Sequence, residues 1–117
     1  MRYNGSEKQI KWANDIISIE NLEARLIDML SEIPTLPEKS NRRGRSMSAT
    51  QKGYFSKKIE LLLTNGFAAD AVIENRAMID TVTGLEKAIA YSDAPGIGNV
   101  LWVTTKLDMD FQAAMAG

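Results

Sequence analysis

The sequence predicts an all-α single domain of four to five helices, and three observations carry that prediction. Ser6 with Gln9, Ser48 with Gln51, and Thr83 with Glu86 each form a capping box, in which a hydroxyl accepts from the backbone N–H three residues on. Apolar residues downstream of each box recur at steps of three, four or seven, as one face of a helix requires. Helix-stopping residues, Pro34, Pro37 and Asn65-Gly66, then divide the chain at helix-sized intervals. A chain of 117 residues, 44% apolar and 25% charged, suits one globular domain covering 1–117.

From Ser6, the stripe Trp12, Ile16, Ile19, Leu26, Met29 and Ile33 predicts a long first helix over about residues 7–32, with Ser18 the one place where it could divide. Pro34 and Pro37 end it. Residues 34–48 form a loop with no apolar periodicity, rich in positive charge and expected to be mobile in the free protein. Phe55, Ile59, Leu62 and Leu63 predict a second helix over 49–64, stopped by Gly66, with Phe67 packing back as a plug. A third helix is expected over 68–80 and a fourth from Thr83 through Tyr91, either separate or joined in one bent helix. The segment 99–116 fits both periods. Val100, Val103, Leu107, Phe111 and Ala114 match a helix, while Val103, Leu107, Met109 and Phe111 sit among polar residues as in a strand. Helix is chosen because a lone strand leaves its backbone groups unpaired and no other segment offers a clear partner.

Composition excludes several classes of chemistry. Without cysteine or histidine there is no thiol nucleophile, disulfide, thiolate metal site or imidazole base. Asp108 and Asp110, two apart on a helix, point about 200° from each other and cannot share a metal. Gly96-x-Gly98 lacks the third glycine and preceding strand of a phosphate-binding loop and reads as a turn. The expectation is a non-enzymatic protein with no cofactor and no metal. Apolar runs far short of the 18 or so residues that span a bilayer, and an opening Met1–Lys8 without a signal-like apolar stretch, point to the cytoplasm.

The charge distribution is the strongest functional signal. Lys39, Arg42, Arg43, Arg45, Lys52, Lys57 and Lys58 fall within twenty residues that contain no carboxylate, so a segment of +7 is set against a remainder of −8. Such a split suits contact with a polyanion, meaning nucleic acid or a nucleoprotein complex, or with an acidic protein surface. The arginines precede a helix N-terminus, whose partial positive charge and free N–H groups add to the attraction. Lys52, Lys57 and Lys58 extend it as a basic helix face, with Tyr54 available to stack on a base. No groove- or base-reading motif is present. The alternative is a helical interaction module or homodimer formed by apolar positions of the first helix, with a merely solubilising basic loop. Trp12 and Trp102 read as core residues, and Arg76 with Asp80 as a surface ion pair.

Two stretches carry a resemblance. Gly5-Ser6-Glu7-Lys8-Gln9-Ile10-Lys11-Trp12-Ala13-Asn14-Asp15-Ile16 resembles the opening helix of a group of small, largely uncharacterised proteins of bacteria, phages and mobile elements. Val72-Ile73-Glu74-Asn75-Arg76 is similar to the Trp-Ile-Asp-Asn-Arg that often follows in that group, with Val72 at the tryptophan position. The resemblance implies an accessory protein of a phage or mobile element, and with the basic loop it suggests an inhibitor of a host defence complex.

Overall fold

The computed structural model describes residues 1–38 and 46–92. Among them are five α-helices and one two-stranded pairing: β1 (Tyr3–Asn4), α1 (Glu7–Ile16), α2 (Ile19–Glu32), a 3-10 turn (Ile33–Thr35), α3 (Ala49–Asn65), β2 (Phe67–Ala68), α4 (Ala69–Glu74) and α5 (Val82–Tyr91). The fold is mostly all-α, as the sequence predicts. The segment 99–116, assigned as helix from its sequence, lies outside the described residues.

Leu22, Leu26, Met29 and Ile33 step along one side of α2 and are buried, as are Phe55, Ile59 and Leu62 on the facing side of α3. Val72 of α4 and Leu85 and Ile89 of α5 complete the core, with Phe67 fully buried among them. Each such side chain contributes about 1.5–3 kcal/mol by leaving water. Both serine capping boxes form: the Ser6 hydroxyl accepts from the Gln9 N–H and the Ser48 hydroxyl from the Gln51 N–H, each at 3.2 Å, and each glutamine side-chain oxygen accepts from the serine N–H.

The first helix divides where Ser18 allows it. Ile17 is extended, Ser18 caps α2 by accepting from the N–H of Asn21, and Asn14 receives the N–H of Ile19 while donating to Ile10. The apolar stripe runs on through the break, which is why periodicity alone implied one helix. The third helix is shorter than expected. It stops at Glu74, and residues 75–81 turn, held by Arg25, which donates to the carbonyls of Ile79 (2.6 Å) and Asp80 (3.0 Å). The fourth begins at a different cap. Thr81, not Thr83, accepts from the N–H of Gly84, and Glu86 is buried rather than closing a box. Gly84 is required there, because a Cβ would lie 1.8 Å from the Met78 carbonyl oxygen.

A parallel pairing that the sequence did not suggest joins the segment before α1 to the link between α3 and α4. Tyr3 pairs with Phe67 and Asn4 with Ala68, and the N–H of Phe67 donates to Arg2. Gly66 makes it possible, since its φ of 104° is one that glycine adopts readily, and a Cβ there would meet Asn4 at 2.7 Å. The Tyr3 ring is buried and its hydroxyl donates to the Ile17 carbonyl at 2.7 Å, with burial pushing its pKa well above the usual tyrosine value.

Two predictions follow from these contacts, both read by chemical denaturation. Gly53→Ala, on an exposed turn of α3 with nothing within 4 Å of the new methyl, should stabilise the protein by about 1 kcal/mol, and Gly84→Ala should destabilise it by about 3 kcal/mol. The Tyr3 hydroxyl ionises in the unfolded chain near pH 10 but stays neutral in the fold, so its contribution is intact below pH 10 and is lost as pH rises beyond it, by about 1.4 kcal/mol per pH unit. Tyr3→Phe should remove that part of the alkaline destabilisation; an unchanged alkaline slope would contradict the assignment.

Candidate nucleic-acid interface

The path into the basic segment is fixed at both ends. After the 3-10 turn, Leu36 donates to Ile33, and the buried Met47 donates its N–H to the Pro37 carbonyl at 3.0 Å. The chain therefore leaves and returns at one point, at the foot of α3. Lys39, Arg42, Arg43 and Arg45, with the expected mobility of their loop, lie outside the described residues.

Ser48 starts α3 immediately after this point. Helices α1, α2 and α4 carry Glu7, Glu20 and Asp70 in their first turns, where an anion meets the positive end of the helix dipole. The first turn of α3 has no acid, and Lys52 follows it. Lys52 is partly exposed and Lys57 exposed, and neither has a described carboxylate within 4.0 Å. They are five residues apart, about 140° around the helix, so they do not form one stripe.

Lys58 is the main correction to the expected interface. Its side chain is 0% exposed, on the same side of α3 as Phe55, Ile59 and Leu62. Its ammonium donates to the Ala90 carbonyl at 2.5 Å and to the Tyr54 hydroxyl at 3.2 Å. Helix α5 has no basic residue in its last turn, and Ala90 is one of its orphan carbonyls. Lys58 thus supplies from α3 the positive charge that the end of α5 lacks, and it is unable to reach a phosphate. The spacing from Phe55 to Lys58 to Leu62, three and then four, was the signal that could have revealed this.

Tyr54 is drawn into the same arrangement. Its ring is partly buried, stands edge-on to Phe55 with centroids 5.6 Å apart, and has the Lys58 ammonium 5.5 Å from its centre. A stacking role for Tyr54 competes with these contacts. Of the lysines expected to form a basic face on α3, Lys52 and Lys57 stay accessible, on different sides of the helix.

Elsewhere the structure places side chains that the sequence misassigned. Trp12 is half-exposed rather than in the core, and Arg76 lies over its ring, 5.4 Å from the centroid, instead of pairing with Asp80. The two stretches that carry the resemblance therefore meet in space, α1 against α4. Beside them, a cleft of about 560 Å³ opens between the α1–α2 elbow and the 75–81 turn, lined by Asp15, Ser18, Asn21, Arg25 and Asp80. Arg25 is held there by backbone carbonyls, as a clamp on the turn. Trp102 lies outside the described residues. Among the described residues, no helix is long and apolar enough to cross a membrane and no three potential metal ligands come together. No protein-family model, curated protein or solved structure matches the chain.

The placement of Lys58 separates structural from surface charge. Lys58→Ala should cost about 3 kcal/mol in urea denaturation, through the cavity and the lost bonds at the end of α5, whereas Lys57→Ala should change stability by less than about 0.5 kcal/mol. Equal stability of the two variants would contradict the capping role.

Proposed function

We propose that the protein is a small non-enzymatic accessory factor of the cytoplasm that binds nucleic acid or a nucleoprotein complex through the segment from Lys39 to Lys57. The observation that carries this reading is a run of cations with no acid in it, leading into the positive end of α3. It is supported by the accessibility of Lys52 and Lys57, neither of them neutralised by a described carboxylate. Arg42, Arg43 and Arg45 contribute the remaining phosphate contacts, and an acidic protein surface would engage the same cations less selectively. The resemblance of the 5–16 and 72–76 stretches supports a setting in a phage or mobile element, where occupying a host defence complex or its guide RNA is a role that needs no catalytic group.

A second reading rests on Ile27, which projects from α2 half-exposed between Ala24 and Asp28 and is the kind of side chain a homodimer covers. Sizing chromatography separates the two readings. A dimer that survives charge reversal in the loop would favour protein pairing over nucleic-acid contact.

Reversing Arg42, Arg43 and Arg45 to Glu should abolish duplex binding at low salt and weaken binding of single strands, without lowering the unfolding midpoint. For the unaltered protein, log K should fall linearly with log salt, with a slope of roughly −0.9 per neutralised phosphate on duplex DNA and about −0.7 on single strands. Failure of duplex and single-stranded nucleic acid alike to bind at low salt would overturn the proposal.

A further inference from the structure

Helix α1 buries Ala13 and turns the neighbouring Trp12 outward, leaving its indole 48% exposed. Large aromatic side chains normally bury most of their surface on folding, so an indole left half in water offers apolar area that a ligand can cover. Its setting is charged and ordered. Arg76, contributed by the turn after α4, lies over the ring, and its Nη1 donates to the Ile73 carbonyl at 2.8 Å, which fixes the guanidinium and leaves its other N–H groups for a ligand. Lys8 stands one helical turn before Trp12 on the same side of α1. Lys11 has acids four residues away in both directions, Glu7 and Asp15, whereas Lys8 has Asn4 and Trp12 at those positions. Neither Lys8 nor Arg76 has a described carboxylate within 4.0 Å, although Asp15 and Glu74 border the platform in sequence.

We propose that Trp12, Arg76 and Lys8 form a contact for single-stranded nucleic acid, with an unpaired base stacked on the part of the indole that Arg76 leaves exposed and its phosphate held by the two cations. The proposal rests on the nucleic-acid reading given above and adds the strand type, since bases already stacked within a duplex cannot lend a face to a side chain. A flat ring flanked by cations matches a nucleotide in both of its parts. An acidic peptide matches only one, because a carboxylate gains nothing from the negative face of an aromatic ring. The site is built from α1 and the turn after α4, apart from the basic segment before α3, so the two contacts can be removed one at a time.

The test uses the full chain carrying Trp102→Phe, which leaves Trp12 as its one tryptophan, titrated with a thymidine oligonucleotide of about 15 residues and with a duplex. Saturable quenching of Trp12 fluorescence by the oligonucleotide is expected. Adding Trp12→Ala should weaken oligonucleotide binding roughly 5- to 150-fold with little change in duplex affinity, and Trp12→Phe should restore part of the loss. Circular dichroism and the unfolding midpoint check that each variant is folded. If the oligonucleotide binds Trp12→Ala and its parent equally, without quenching, the inference fails while the nucleic-acid reading stands. If neither oligonucleotide nor duplex binds, both fail, and quenching by oligoglutamate in their place would assign the platform to an acidic peptide. Quenching that persists when Arg42, Arg43 and Arg45 are reversed to Glu supports a separate site.

Discussion

Closing helix ends is the constraint on which this fold depends. Every α-helix leaves backbone donors at its start and acceptors at its finish, and helices as short as α4, with six residues, leave a large share of their groups in that state. None of the five described helices has a basic residue in its last turn. The missing donors come largely from other elements. Tyr3 donates to the carbonyl of Ile17 just past α1, Asn4 to the last carbonyl of α3, Arg25 to the turn after α4, and Lys58 to Ala90 in the last turn of α5. Two of these four donors sit on β1, so the short parallel pairing with β2 ties several helix ends to one another. Each bond has a net value of only about 0.5–1.5 kcal/mol, more where the donor is charged, but an unmet buried carbonyl costs at least as much. The caps therefore cannot be lost singly without consequence for the packing.

That distribution explains what was legible in the residues beforehand. N-terminal caps are local, so Ser6 and Ser48 announced α1 and α3 through a pattern four residues long, and Asn65-Gly66 announced the end of α3 in the same way. C-terminal closure here is non-local. Nothing near Ala90 points to Lys58, which is 32 residues away, and nothing near Ile79 points to Arg25. The pairing of Tyr3 with Phe67 was hidden for a related reason, because two residues are too few to show an alternating pattern. Thr83 misled because it and Glu86 match a capping box only two residues past Thr81, which had already begun the helix. Trp12 was read as core from residue type alone, although its flank position on α1, between Lys8 and Asp15, pointed toward the surface.

The same division sorts the positive charges by role. Arg25 and Lys58 belong to the fold, since their donors meet backbone oxygen. Lys52 and Lys57 beside the arginine-rich stretch, and Lys8 and Arg76 beside Trp12, have no described carboxylate within 4.0 Å and carry the proposed contacts with an external anion. Counting charge along the chain treats all of these alike, and only the geometry distinguishes a lysine that closes a helix from one that can meet a phosphate. The proposed binding role is therefore smaller in its number of contacts than the sequence implied, and its aromatic component moves from Tyr54 to Trp12.

Chemical-shift mapping by NMR tests this account most directly, with a single-stranded oligonucleotide added at low salt to the isotopically labelled full chain. The expected result is perturbation of backbone amides from residue 39 to residue 57 and of the Trp12 indole N–H, with the signals of Ala90 and its neighbours in α5 unmoved. Perturbations centred on the acidic outer face of α2, around Glu20, Asp28 and Glu32, or none at all, would contradict the assignment of surface and structural cations on which the account rests.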